Sequence, residues 1–359
     1  MKQISLFQGK LLLSIGICLV LVLLVPFSSA GNTQSIDPFS FEQYHYHSYQ
    51  ELTDALHSLQ MNHSDVMSVS SLGKTYEGRE IWMVKLSDNV EQQEDEPGVL
   101  FMAAHHGNER PGVEICLFFI QYMLEQYQND STPEVRDAMN STQIYLIPMV
   151  NPDGVMADTR KNCDPNYGPF GYSSTITSYG VNLNRNYDDP WFLSYIFPIR
   201  YYLPIILSDS SYNYRGPYPF SENETKAVKN FAETHTFSIS ISYHSYGEFV
   251  IYPWMHTTKP TPDEPLFRSV GENITSFNNY YLLVKNNRLI NLYGGTLGSS
   301  ENWLYREKGA LAYTIEVGSE RRPTDPQVVY DLCMTHTTIH LYLCQRAQTL
   351  DSEKAVLHH

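Results

Sequence analysis

Cysteine is scarce in this chain, with five among 359 residues. Cys18 lies in an apolar N-terminal run, which leaves Cys116, Cys163, Cys333 and Cys344 for the folded part. Cys333 and Cys344 would share one face of a helix, but about 16 Å apart along its axis, too far to bond each other. A disulfide scaffold is therefore excluded; at most one or two bridges are expected, and buried free thiols would serve equally well. Positive charge is also short: 24 Lys and Arg stand against 39 Asp and Glu, a formal net charge of −15. That balance argues against nucleic acid and anionic membrane surfaces as partners and fits a solvated acidic surface. Low-complexity tracts, internal repeats and a domain-scale linker are lacking, so the chain should form one large α/β domain or two small ones.

Long apolar runs are lacking too, except at the start. Lys2 and Lys10 precede the run Leu11 to Pro26, and small residues follow at Ser28 and Ala30. This is the layout of a signal peptide over residues 1–30, cleaved on export, with an uncleaved anchor as the rival reading. The mature protein is then expected to be secreted or extracytoplasmic, a monomer with no stable membrane span. Five Asn-x-Ser/Thr sequons, at Asn62, Asn129, Asn140, Asn223 and Asn273, agree with export. A polar, aromatic lead-in over 31–43 precedes the domain at 44–348, and 349–359 reads as a tail.

Within the domain, apolar runs at Val66 to Leu72, Arg79 to Leu86, Val99 to Ala104, Gln143 to Met149, Phe237 to Tyr243, Glu248 to Pro253 and Leu311 to Val317 predict strands. Helical periodicity marks Gln50 to Gln60, capped from His47-Ser48, Gly112 to Tyr127, a helix opened by a capping box at Ser221-Glu222-Asn223-Glu224, Asp263 to Asn278, Ser300 to Lys308, and Asp325 to Gln348. Alternating strands and helices imply an α/β fold: a central, mixed, largely parallel twisted sheet with helices on both faces. The stretch 191–207, broken by Pro198, Arg200 and Pro204, reads as a packed loop, with a lid or lipid-touching patch as the alternative.

Candidate chemistry concentrates at strand ends, where sites in such sheets form. His105-His106-Gly107-Asn108-Glu109 follows a buried strand and supplies a His-x-x-Glu pair. Two close ligands and a distant third are the plan of a catalytic zinc site, the fourth position being left to water. His106 and Glu109 are the candidates, with His105 the nearer rival. The apolar alternation that stops at His244 makes it the third ligand; His235, His256, His336 and His340 need only surface or cap roles. Glu316 is a carboxylate in an otherwise buried strand, costly unless paired or functional, and suits a general base. Arg185, amid Asn182, Asn184 and Asn186, offers a fork-shaped donor set for a planar carboxylate, and Arg160 is a second candidate cation.

Taken together, these residues resemble the zinc metallocarboxypeptidase family, the funnelins, from about Tyr44 to Gln345. His106-Gly107-Asn108-Glu109 is similar to the family's His-x-x-Glu, Asn151-Pro152-Asp153-Gly154 to its turn, and Arg160-Lys161-Asn162 to the segment carrying its oxyanion arginine. Asn184-Arg185 resembles the pair that binds the substrate's terminal carboxylate. His244-Ser245-Tyr246 is similar to the third ligand with its subsite tyrosine, Tyr293 to the mobile tyrosine, and Glu316 to the catalytic base. The resemblance implies one zinc ion per chain and removal of single residues from peptide or protein C-termini by a zinc-activated water, with Glu316 as general base and Arg160 on the oxyanion. It also implies a pocket with Glu301 at its base, which slightly favours basic C-terminal residues, although Trp254 and Met255 could line it as apolar walls. Departures are Asn182, where many members have Asp behind a zinc histidine, and Phe220, at the place of the cysteine that would pair Cys163. Neither a prodomain nor a trailing transthyretin-like domain is expected. The alternatives are a catalytically inactive binding protein or a peptidase for cell-wall peptides.

Overall fold

The computed structural model describes residues 45–129, 132–166, 179–189, 212–257, 259–283 and 297–358. The leader, the lead-in, the 191–207 stretch and Tyr293 lie outside the described residues. The first helix, α1 (Tyr49–Asn62), begins at Ser48, whose hydroxyl accepts from the Glu51 amide at 3.3 Å while the Glu51 carboxylate accepts from the Ser48 amide at 2.8 Å. Two of the orphan amides of the first turn are thereby satisfied, and Leu52 and Leu56 enter the core.

An eight-stranded sheet follows, built from β1 (Met67–Lys74), β2 (Glu80–Leu86), β3 (Gly98–Ala103), β4 (Gln143–Ile147), β5 (Ile239–His244), β6 (Phe249–Ile251), β7 (Tyr281–Leu283) and β8 (Leu311–Glu316). Its spatial order is β1-β2-β4-β3-β5-β8-β6-β7. The central strands β4, β3, β5 and β8 run parallel, and antiparallel pairs flank them. Strand β3 is buried along its whole length, as a strand covered on both faces must be. Its residues alternate between two cores: Val99, Phe101 and Ala103 join the cluster that includes Ile120, Ile339 and Leu343, whereas Leu100 and Met102 join Val228, Phe231 and Leu304 on the other face. The first layer holds α2 (Pro111–Gln128) and the closing helix; the second holds α5 (Asn223–Thr234) and α7 (Ser300–Lys308).

The expected fold class stands, with differences at particular elements. A helix α3 (Pro133–Ser141), a one-turn helix α4 (Pro152–Met156) where a turn was read, and a 3₁₀ turn at Leu183–Arg185 join α6 (Glu264–Asn278) in the completed set. The capping box expected at Ser221 does not form: the helix is capped at Glu222 without a side-chain bond, and the Ser221 hydroxyl is turned toward the Glu222 carboxylate and the Asn186 amide. The closing helix α8 (Pro326–Leu357) runs on through residues read as a tail. His336 and His340 are not at its surface but fully buried, where the Tyr243 hydroxyl meets His340 Nε2 at 2.6 Å and His336 Nδ1 at 3.2 Å. Cys116, Cys163, Cys333 and Cys344 are all free thiols. Among the described residues, no helix is long and apolar enough to cross a membrane.

Candidate active site

Three neighbouring parallel strands decide where the chemistry sits. β3, β5 and β8 are adjacent in the sheet, so their carboxyl ends open on one rim. His244 is the last residue of β5 and Glu316 the last of β8, and the register pairs them directly. His106 and Glu109 lie in the loop after β3. That loop opens at Ala104, which takes a left-handed φ of 54°, and is pressed against the Asn151-Pro152-Asp153-Gly154 turn. A Cβ on Gly107 would stand 1.9 Å from the Gly154 carbonyl carbon, so glycine is required there. Asn151 clamps the two segments, accepting from the Gly154 amide at 2.9 Å and donating to the His105 carbonyl at 3.1 Å. Asp153 then anchors the turn to the β1–β2 connection through Thr75 Oγ1 at 2.8 Å and Arg79 Nη1 at 2.6 Å.

The loop separates the two adjacent histidines. His105 is buried against the Tyr187 hydroxyl (2.9 Å) and the Ser242 hydroxyl (3.1 Å), away from the other donors. His106 faces the rim. Its Nδ1 is 2.9 Å from Glu109 Oε2 and 3.0 Å from His244 Nδ1, and His244 Nδ1 is 2.9 Å from the same Glu109 oxygen. Zinc bound to nitrogen at about 2.0–2.1 Å in tetrahedral geometry sets neighbouring donors roughly 3.3 Å apart, so these three atoms need to spread by only a few tenths of an ångström to receive it.

Asn182 fixes which nitrogen of His106 is free. Its Oδ1 lies 3.0 Å from His106 Nε2, and the amide's orientation is set by donation from Nδ2 to Asn213 Oδ1 at 3.1 Å. The His106 proton therefore resides on Nε2 and the Nδ1 lone pair points into the cluster. A neutral amide oxygen here accepts the bond that an aspartate would accept with a full charge.

Charge around the cluster is graded. Burial alone would raise the Glu109 carboxyl, but the two histidines and Arg160 outweigh it and hold it well below the usual range; Arg160 Nη1 donates to Glu109 Oε1 at 2.8 Å. Glu316 behaves oppositely: burial, reinforced by Glu109 and only partly countered by His244 and Arg160, pushes it up to about 7. Arg185 is pushed down to about 10 by burial and by the repulsion of Arg160. Asn184 holds the neighbouring wall, accepting from the Ser300 amide at 2.9 Å and placing Nδ2 3.2 Å from His244 Nε2. Glu301 is 3% exposed, and its Oε2 has no hydrogen-bond partner among the described residues. Tyr246 stands at the rim, 52% exposed.

The chain is similar to known proteins. The model of the zinc carboxypeptidase family matches residues 52–343. The chain belongs to that family. It is 30% identical over 287 residues to a zinc carboxypeptidase of Saccharothrix mutabilis subsp. capreolus, covering 76% of this chain and 62% of that protein. It is 25% identical over 324 residues to human carboxypeptidase D, covering 85% of this chain and 21% of that one. The chain thus spans less than two thirds of these relatives. The crystal structure of carboxypeptidase A from Helicoverpa armigera shares the fold, with a TM-score of 0.69 at 20% identity over 84% of this chain and 73% of that one. The family's ion is zinc, and two imidazoles with one carboxylate form a donor set that zinc takes.

Several contributors were not singled out in the sequence. Asn151 and Asp153 appeared there only as a turn, yet they brace the loop that carries His106 and Glu109. Ser242, two residues before His244, places its hydroxyl 3.3 Å from the His244 Nε2; its position on the strand was the available signal, since a residue two before a ligand shares its face.

Proposed function

We propose that this chain is a secreted zinc metallocarboxypeptidase that removes single residues from peptide C-termini. The observation that carries this reading is the convergence of His106, Glu109 and His244 within 3.0 Å of one another at a rim shared with Glu316 and two arginines. When bound there, zinc supplies Lewis-acid polarisation of the scissile carbonyl and lowers the pKa of water. Glu316, at the end of β8 and with a carboxyl raised toward neutrality, takes the proton of the attacking water and returns it to the leaving amine. Arg160, beside Glu109, faces the charge that develops on the carbonyl oxygen. Asn184 and Arg185 receive the substrate's free carboxylate, which restricts cleavage to the last peptide bond. Tyr246 borders the substrate; the further candidate Tyr293 lies outside the described residues.

The pocket reading is a preference for basic C-terminal residues, with Glu301 at its base. A carboxylate oxygen buried without a partner is costly unless a cation reaches it. Trp254 is drawn into packing against Tyr305 and His256, with ring centroids 5.0 and 5.4 Å apart, which leaves it a lesser part in the pocket. Export is supported by the sequon asparagines Asn62, Asn129, Asn140, Asn223 and Asn273, all of which are exposed. The test is a peptide panel that differs only in the last residue, run on the wild type and on Glu301→Ala. Chelator-reversible release of the last residue, with Lys and Arg preferred and the preference lost in the variant, is expected. Cleavage at internal bonds, or none with zinc present, would overturn the activity; an unaltered preference would overturn the pocket.

A further inference from the structure

Around the first turn of α7 the described residues hold an unusual concentration of buried polar atoms without hydrogen bonds. Ser299 Oγ, Ser300 Oγ, Glu301 Oε2, Asn302 Nδ2 and both carboxylate oxygens of Asp189 are all unpartnered, in residues no more than 3% exposed. Buried polar groups are ordinarily satisfied, so such a cluster indicates a recess completed by something else.

Asp189 is held there by its backbone. Its amide donates to the Tyr187 carbonyl at 3.0 Å, and its carbonyl accepts from Gly298 at 2.5 Å. Gly298 in turn sits so close to Arg185 that a Cβ would fall 2.1 Å from the Arg185 carbonyl oxygen. The segment carrying Glu301 is thereby stitched to the one carrying Asn184, Arg185 and Asp189.

We propose that Asp189 is a second specificity-determining carboxylate of this pocket, standing with Glu301 to receive the cationic end of a C-terminal lysine or arginine. The inference rests on the pocket reading above. The plainer role, an ion-pair anchor, is filled only loosely: Arg306 Nη1 lies 3.9 Å away and His256 Nδ1 3.8 Å away, within ion-pair range but beyond hydrogen-bond reach. Arg306 instead donates to Glu307 at 2.6 Å and to the Asp188 carbonyl.

Charge around Asp189 sets the consequence. Burial raises its carboxyl well above the usual range; the Asn302 amide and Arg306 counter this, while Glu301 and Asp188 add to it, and His256 flanks it. Asn302 lies close enough to favour the ionised form without making a well-aligned bond. Burial thus favours the protonated form of Asp189, and an ammonium or guanidinium beside it favours the ionised form. The preference for a cationic over an uncharged terminal residue should then rise with pH. Titration of Glu316 affects both substrates and cancels in the ratio of their kcat/KM values.

The experiment measures kcat/KM for peptides ending in Arg and in Leu, from about pH 5.5 to about pH 8, on the zinc-loaded wild type, Asp189→Asn and Glu301→Gln. Loss of one charged hydrogen bond is expected to lower the Arg/Leu ratio on the order of tenfold in Asp189→Asn and to flatten its rise with pH. If the wild type shows no basic preference and Glu301→Gln changes nothing, the pocket reading itself fails. If Glu301→Gln abolishes the preference while Asp189→Asn leaves both ratio and slope intact, only the role of Asp189 is overturned. Should Asp189→Asn not fold, the wild type decides: a ratio that does not rise with pH refutes the proposal.

Discussion

Replacing His336 with leucine should make the protein more resistant to acid relative to the wild type, by an amount that follows from burial. His336 lies in α8, fully buried, and its pKa is lowered to about 3 by desolvation. Unfolding returns the ring to water, where its pKa is about 6.5. A base depressed in the folded state takes up its proton only on unfolding, so its contribution is harmless above the unfolded value. Stability is then lost as pH falls from about 6.5 toward about 3. At about 1.4 kcal/mol per pH unit, the loss between pH 7 and pH 4.5 is about 2.5 kcal/mol for this one site. Titratable groups remote from His336 contribute equally to wild type and variant and drop out of the difference; the nearby His340, which His336 also pushes down, is relieved of that repulsion in the variant, a change in the same direction. The Tyr243 hydroxyl keeps its 2.6 Å contact with His340, so the variant retains a partner for it. The assay is urea unfolding followed by fluorescence of the four tryptophans, with chelator present throughout so that zinc release does not intrude. The wild type should lose about 2.5 kcal/mol more than His336→Leu over that interval. An equal loss in both proteins would mean that His336 is already protonated in the fold, and the reasoning from burial would be wrong.

Three further outcomes concern the site directly. Glu316→Gln should retain stoichiometric zinc by metal analysis but lose 10²- to 10⁴-fold in turnover, roughly what general-base catalysis supplies; retained turnover would remove Glu316 from that role. The wild type should lose turnover as pH falls through the Glu316 pKa, because the carboxylate must be ionised to accept a proton. That limb should sit at or below about 7, since a bound dication lowers a neighbouring carboxyl. Asn182→Ala deletes the acceptor at His106 Nε2 and should weaken zinc binding about 10- to 100-fold, whereas Asn182→Asp should hold or tighten it. Equal zinc affinity in all three proteins would show that the Asn182 contact does not set the His106 tautomer.

The fold was legible where burial leaves a simple trace. Val99 to Ala104 reads as a strand because a strand covered on both faces is apolar throughout, and β3 is. His106, His244 and Glu316 could be placed on one rim because they follow apolar runs and because parallel strands share their carboxyl ends. Asp189 was not legible, since nothing in Asp188-Asp189 distinguishes the acid that turns inward, fully buried, from its neighbour that stays exposed. The failed capping box at Ser221 is of the same kind: the local pattern was sound, but the hydroxyl accepts from Asn186 and donates to Glu222, while the Glu224 carboxylate accepts from Asn162.

The buried histidines show why periodicity misled. Along α8 the buried positions Val329, Cys333, His336, Thr337, Ile339, His340, Leu343, Cys344, Ala347 and Leu350 form one stripe at helical spacing. Counting only aliphatic residues breaks that stripe at 336 and 340, so the histidines look exposed. A second sequence signal could have corrected this. Tyr243 precedes His244 on a central strand, so its side chain must point opposite to that of His244, into the layer beneath the sheet. A phenol buried there requires a hydrogen-bond partner from the helix that covers it. Within α8 the candidates one turn apart are His336 and His340, which is where the hydroxyl is met. The site and its support therefore alternate along one strand: Ser242 and His244 face the cluster, and Tyr243 ties the strand to the closing helix.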